Sequence, residues 1–135
     1  SGLFESRVVK EGSDLTLLAY GPMVKTCLQA AQVAEEEGRS LEVIDLRTLS
    51  PLDLPTLTES ACRTGRVVIV HEAPTFGGLG AEITARITEE CFYHLEAPVL
   101  RVGGYNVPYP PSRLEEEFLP DLDRVLDGVD RSLAY

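Results

Sequence analysis

The sequence predicts a three-layer α/β domain: about five strands in a mostly parallel sheet, one antiparallel edge strand, and helices on both faces. Three observations predict it. Short apolar runs at Leu15–Tyr20, Leu41–Leu46, Val67–Val70 and Pro98–Val102 have the length of strands buried on both faces. Between them lie segments whose apolar residues recur every three or four positions, the spacing of one helical stripe. Strand and helix then alternate from Leu15 to the end, which calls for right-handed crossovers and a parallel sheet.

The elements follow in order. Arg7–Lys10 is a short strand and Glu11–Asp14 a turn into Leu15–Tyr20. So tight a turn implies that these two strands pair antiparallel, with the first at the sheet edge. Gly21-Pro22 opens a helix, proline standing where its missing N–H does no harm. Val24, Cys27, Leu28, Ala31 and Ala34 form its inner stripe, Glu35 to Glu37 a solvated face, and Gly38 its end. After the strand Leu41–Leu46, residues Leu49 to Pro51 connect to a helix capped by Asp53. That helix carries Leu54, Leu57 and Ala61, with Pro55 tolerated in its first turn and Thr64-Gly65 closing it.

Val67–Val70 leads into His71, Glu72 and a breaker cluster from Pro74 to Gly80. Leu79, Ile83, Ile87 and Cys91 then repeat every four residues along one helix face. The strand Pro98–Val102 is followed by Gly103–Pro111, whose two glycines and three prolines suit an ordered loop. Pro120 opens a last helix, with Leu122, Val125, Leu126, Val129 and Leu133 on one face.

Composition bounds the function. The 135 residues make one domain, large enough to bury a core without disulfide or metal. A formal net charge of −10 argues against nucleic acid and anionic membrane as partners and permits a basic one. No apolar run approaches the roughly 20 residues that cross a bilayer, and the N-terminus does not read as a signal peptide. Cys27, Cys62 and Cys91 are odd in number, far apart, and each in a helical pattern. They read as reduced, buried small hydrophobes, as in a reducing cytoplasm.

Chemistry-bearing motifs are few. Gly77-Gly78-Leu79-Gly80 invites a phosphate, but Ile83 stands where a dinucleotide fingerprint needs glycine or alanine, and no Walker lysine follows. Glu82, read as part of that helix's first turn, would repel an anion. The glycines read as a tight turn and close packing. His71 and Glu72 are an acid–base pair in composition only, because neighbours on a strand point to opposite faces. A histidine hydrogen-bonded at an interface is the favoured role. His94 has no partner in sequence, and no metal spacing, nucleophile elbow or paired cysteine motif appears.

The segments Asp45-Leu-Arg-Thr-Leu-Ser-Pro-Leu-Asp53 and His71-Glu-Ala-Pro74, with Gly77-Gly-Leu-Gly-Ala-Glu-Ile83, carry a resemblance. They resemble the C-terminal, transketolase-like domain of the beta subunit of the 2-oxo acid dehydrogenase decarboxylase component. Glu89-Glu-Cys-Phe-Tyr-His-Leu-Glu-Ala-Pro98 and Tyr105-Asn-Val-Pro-Tyr-Pro110 are more narrowly similar to the branched-chain branch. The likeness runs from about Val8 to Leu133. Where the family often has aspartate, this chain has Asn106.

The resemblance implies a thiamine diphosphate enzyme that decarboxylates a 2-oxo acid and passes the acyl group to a lipoyl arm. It places the activating carboxylate in the beta subunit's N-terminal domain, and the magnesium and diphosphate site in the alpha subunit. Residues 1–135 are then one domain of a longer beta subunit, without the thiamine-binding N-terminal domain. No catalytic, cofactor or metal residue is expected in them, and the domain alone is expected to be inert. The implied partners are an alpha subunit, a second beta subunit and the basic subunit-binding domain of the dihydrolipoyl acyltransferase. The implied compartment is a bacterial cytoplasm or a mitochondrial matrix. Interface candidates are His71, Glu72, Phe76, Gly77, Gly78, Gly80 and Glu82. Docking candidates are Asn106, Tyr109, Glu115, Glu116, Glu117, Asp121 and Asp123, within the acidic density that also includes Asp127. Two other readings share the fold: a freestanding binding module, and the last domain of another thiamine enzyme such as pyruvate dehydrogenase, transketolase or deoxyxylulose-phosphate synthase.

Overall fold

A computed structural model describes residues 6–47, 52–71, 77–103 and 121–135. The strands are β1 (Arg7–Lys10), β2 (Leu15–Ala19), β3 (Leu41–Asp45), β4 (Val67–Val70) and β5 (Leu100–Val102). The helices are α1 (Met23–Glu36), α2 (Leu54–Thr64), α3 (Gly77–Cys91) and α4 (Asp121–Leu133). They form one five-stranded sheet in the order β1-β3-β2-β4-β5. Its pairs are parallel except β1 with β3.

Alternation along the buried strands divides the core in two. Leu15, Leu17, Val43, Val68 and Val70 pack with Cys27, Ala30 and Ala31 of α1 and Val125 and Val129 of α4. Leu18, Ile44, Val67 and Ile69 face the other way, onto Leu57 and Ala61 of α2 and Ile83, Ile87 and Cys91 of α3. Every residue of β2 and β4 is buried, as continuous apolar runs require of internal parallel strands.

The helix ends follow local chemistry. Gly38, at φ 83°, turns the chain out of α1 so that the amide of Arg39 returns to Ala34 O at 2.9 Å. Asp53 caps α2, its carboxylate accepting from the Thr56 hydroxyl at 2.7 Å and the Thr56 amide at 3.4 Å. Gly65, at φ 75°, closes that helix.

Three expectations are corrected. First, β1 lies at the edge but pairs with β3, with Arg7 opposite Asp45 and Val8 opposite Ile44. Both sides of β2 are taken by β3 and β4, so the turn carries the chain past the start of β3. Gly12 makes that crossing possible: a Cβ there would lie 2.2 Å from the carbonyl carbon of Leu41. Lys10 then ties β1 to α1 through an ion pair with Glu35 at 3.0 Å.

Second, Cys62 and Cys91 are joined in a disulfide, with Cα atoms 5.1 Å apart. They are 29 residues apart in sequence, but α2 and α3 lie side by side on one face of the sheet and bring them together. Cys27 alone keeps the expected character: it is a free, fully buried thiol, pushed up to about 12 by desolvation. Third, Gly77, Gly78 and Gly80 are not in a turn but in the opening of α3, and Glu82 falls beyond its first turn. The apolar stripe of that helix is as expected, with Leu79 half-buried and Ile83, Ile87 and Cys91 buried. Among the described residues no helix is long and apolar enough to cross a membrane.

Candidate functional site

The carboxyl edge of the sheet is built by divergence. From β2 the chain passes to α1 on one face; from neighbouring β4 it passes to α3 on the other. Such a switch point opens a crevice at the strand ends, where α/β proteins place their contacts. Tyr20 follows β2 and is 45% exposed, Gly21 turns the chain at φ 64°, and His71 follows β4.

His71 is half-buried, its amide donating to Val102 O at 2.9 Å. Its ring rests on Gly103, just after β5: a Cβ at 103 would lie 2.5 Å from the imidazole Cε1 and 2.8 Å from Nε2. Glycine at 103 therefore leaves the room that the imidazole occupies. Gly78 is exposed, and a Cβ there would meet nothing within 4 Å among the described residues, so close packing against them does not explain that glycine. Gly80 is buried, Gly77 is the first residue of α3, and Glu82 is exposed on its outer side. Glu72 and Phe76 lie outside the described residues. So do Asn106, Tyr109, Glu115, Glu116 and Glu117. Asp121 is the first residue of α4, and Asp123 is exposed on it. Asp127 is already paired, with Arg131 one turn on at 3.1 Å.

The opposite, amino edge of the sheet holds a polar cluster that the sequence reading missed. Glu42, 2% exposed, accepts from the Ser60 hydroxyl at 2.7 Å, the Gly12 amide at 3.1 Å and the Arg63 guanidinium. The Glu42 carboxylate raises the Arg63 pKa through that hydrogen bond. Thr16 continues the chain of hydroxyls, 2.7 Å from Ser60 Oγ and 2.8 Å from Thr64 Oγ1. A shallow groove lies over this cluster, lined by Glu11, Ser13, Ser40, Glu59 and Arg63 among others. A glutamate inside an otherwise apolar run, Leu41-Glu-Val-Ile, was the available signal, because a strand buried on both faces leaves no outward position.

Two further features were missed. Arg66 holds the end of α4, donating to Ser132 O and, at 3.3 Å, to Tyr135 O. Phe92 and Tyr93, just past α3, are 64% and 94% exposed and stack edge to face with centroids 5.3 Å apart. No three His, Cys, Asp or Glu side chains converge in a metal-binding group among the described residues.

Comparison with known proteins accords with this architecture. The chain matches the model of the transketolase C-terminal domain over residues 5–125. It is 52% identical over 133 residues to a pyruvate dehydrogenase E1 component subunit beta from Leifsonia xyli, covering 98% of this chain and 40% of that one. It is 54% identical over 127 residues to a 3-methyl-2-oxobutanoate dehydrogenase subunit beta from Mycobacterium tuberculosis, covering 93% of this chain and 36% of that one. Among solved structures it resembles a split-gene transketolase described as an inactive beta4 tetramer, with TM-score 0.77 and 34% identity, over 99% of this chain and 43% of the other. The chain thus spans about two-fifths of the length of the relatives it matches. The doubly wound sheet, the helix order and the match over residues 5–125 agree: the chain belongs to the transketolase C-terminal domain family.

Proposed function

We propose that this is the assembly and docking domain at the C-terminal end of a beta subunit. The parent enzyme is a thiamine diphosphate-dependent branched-chain 2-oxo acid dehydrogenase. The observation that carries the reading is the match to dehydrogenase beta subunits over nearly the whole chain. The motifs Glu89–Pro98 and Tyr105–Pro110 support the branched-chain assignment. In the complete enzyme, thiamine diphosphate and magnesium supply the decarboxylation. The described residues offer no converging carboxylates for the metal, and no step of the chemistry is assigned to them.

What the domain contributes is surface. His71, Glu72, Phe76, Gly77, Gly78, Gly80 and Glu82 form the subunit interface in this reading, against an alpha subunit and a second beta subunit. The open space over Gly78 supports it, since a backbone without Cβ lets another chain approach closely. The beta4 assembly of the split-gene transketolase supports contact between beta chains. The basic subunit-binding domain of the acyltransferase docks on the acidic stretch with Asn106, Tyr109, Glu115 to Glu117, Asp121 and Asp123. The compartment is a bacterial cytoplasm or a mitochondrial matrix.

The 52% identity to a pyruvate dehydrogenase subunit favours a second reading, the pyruvate branch. Co-expression of the complete beta chain with its alpha subunit separates the two. The expected result is an α/β assembly whose kcat/KM for 3-methyl-2-oxobutanoate exceeds that for pyruvate, while the 135-residue domain shows no calorimetric binding of thiamine diphosphate with magnesium. A preference for pyruvate moves the enzyme to the other branch. Micromolar cofactor binding by the domain alone overturns the docking reading.

A further inference from the structure

Helices α2 and α3 each bring a cysteine to their shared boundary. Cys62 stands in the last turn of α2 and Cys91 ends α3. Their Cα separation of 5.1 Å lies within the range a disulfide requires, so the bond closes without moving either helix. The same place also accommodates the reduced pair. Cys91 Sγ lies 3.3 Å from Thr58 O, a carbonyl of α2 one turn before Cys62. A disulfide sulfur cannot donate to that carbonyl, but a thiol can. Opening the bond therefore leaves the Cys91 S–H with an acceptor, not stranded in the core. Cys62 is half-buried and Cys91 buried, so Cys62 is the residue more open to solution. A purely structural bridge needs only the short separation. A reversible couple also needs a home for the reduced state, and Thr58 O gives Cys91 one beside the more open Cys62.

We infer that Cys62 and Cys91 form a reversible thiol–disulfide site that staples α2 to α3. Cys62 is the attacking sulfur and Cys91 the resolving one. The Cys62 thiolate attacks a low-molecular-weight disulfide RSSR, forming Cys62–S–S–R and releasing RS⁻. Cys91 gives its proton to solvent and attacks Cys62 Sγ, closing the protein disulfide and expelling the second RS⁻. Two protein thiols lose two protons and two electrons, and the small disulfide becomes two RSH. Excess thiol runs the sequence backwards. Cys27 takes no part: it lies in the other core layer, and burial holds its thiol protonated. The staple fixes the far end of α3, the helix whose opening glycines stand at the carboxyl edge of the sheet.

The test equilibrates the native chain in buffers of reduced and oxidised glutathione. The chain is then quenched with acid, its free thiols are alkylated, and they are counted by mass spectrometry. Two thiols should disappear together in one two-electron step while Cys27 stays alkylatable after unfolding. In C91S, Cys62 should accumulate as the mixed disulfide with glutathione; in C62S, Cys91 should stay free under the same conditions. Amides in the last turn of α3 should exchange at least tenfold more slowly in the closed form. The inference is overturned by a bond that thiol opens only with unfolding, by thiols that glutathione disulfide never closes, or by closure that leaves α3 exchange unchanged.

Discussion

Replacing Gly103 with alanine should destabilise the domain chiefly through His71, whose ring supplies the three nearest atoms among the described residues. Gly103 does not have a left-handed backbone, so alanine meets no conformational penalty there. Its Cβ would, however, lie 2.5 Å from the imidazole Cε1, against the 3.4 Å at which ordinary contact begins. The ring must retreat by about 0.9 Å, and overpacking of that kind costs about 1–3 kcal/mol. Alanine also restricts the unfolded chain, which returns about 0.4–1 kcal/mol. The net loss is then between about 0 and 2.6 kcal/mol. In a His71→Ala background the overlap vanishes, and only the favourable part remains. Gly103→Ala should therefore destabilise the native chain and slightly stabilise the His71→Ala chain. Urea unfolding of the four proteins gives a coupling of about 1–3 kcal/mol if the contact is as described. Any other interaction lost with the imidazole cancels in the cycle. Equal effects of Gly103→Ala in both backgrounds would falsify the placement of the ring.

Other perturbations read other parts of the molecule. Glu42→Ala leaves the Gly12 amide without its acceptor and the Ser60 hydroxyl with Thr16 alone, while Arg63, 43% exposed, turns to water; urea unfolding should show a loss of about 2–4 kcal/mol, with Glu42→Gln milder. Because the folded Cys27 pKa is raised above the unfolded thiol value, its contribution is full below about pH 8.5 and is lost as pH rises toward about 12. Stability against pH should accordingly fall more steeply in this chain than in Cys27→Ala above about pH 8.5, and parallel curves would count against a buried thiol. Gly78→Leu meets no atom of the described residues within 4 Å of its Cβ, so the melting temperature should hold while assembly of the complete enzyme weakens; intact assembly would remove α3 from the interface. Docking of a basic module through Glu115 to Glu117 should slow markedly as salt rises, because opposed charges are screened beyond about 8–10 Å, and a salt-insensitive on-rate would place docking elsewhere.

Much of the fold was legible because it depends on local pattern. Val67 to Val70 can sit only inside a sheet, and Asp53, Gly38 and Gly65 mark helix ends by their own chemistry. What was not legible depends on which element lies beside which. The turn at Glu11 to Asp14 looks the same whether β1 lies beside β2 or one strand further out; only the finished sheet, with both sides of β2 occupied, decides. Cys62 and Cys91 are 29 residues apart, and their meeting follows from α2 and α3 sharing a face. Gly128 was missed for the same reason. It lets α4 approach the sheet, where a Cβ would lie 2.6 Å from Val102 Cγ2, and nothing on its own helix announces that neighbour. Of the site, the sequence marked His71 and the glycines, but not Gly103 as the residue that leaves room for the imidazole.

The two ends of the sheet divide the labour in a way that bears on assembly. At the amino edge, Glu42, Ser60, Thr16, Thr64 and Arg63 satisfy one another, and Arg66 holds the end of α4. A buried carboxylate with three donors is costly to disturb, so this end behaves as a fixed base. At the carboxyl edge the described groups are arranged differently: an imidazole resting on a glycine, an exposed tyrosine, and a helix opening without a Cβ at 78. Close backbone approach sets the His71 ring against Gly103, and α3 opens with an exposed glycine at 78. In the proposed assembly role, the fixed base would hold steady the edge that meets other subunits. Native-state hydrogen exchange should find the amides of β2 and β3 at the amino edge opening only with global unfolding, while the first turn of α3 opens at much lower free energy and gains protection when the partner subunit binds. Equal protection at both edges of the free domain would mean that the carboxyl edge is as rigidly built as the base.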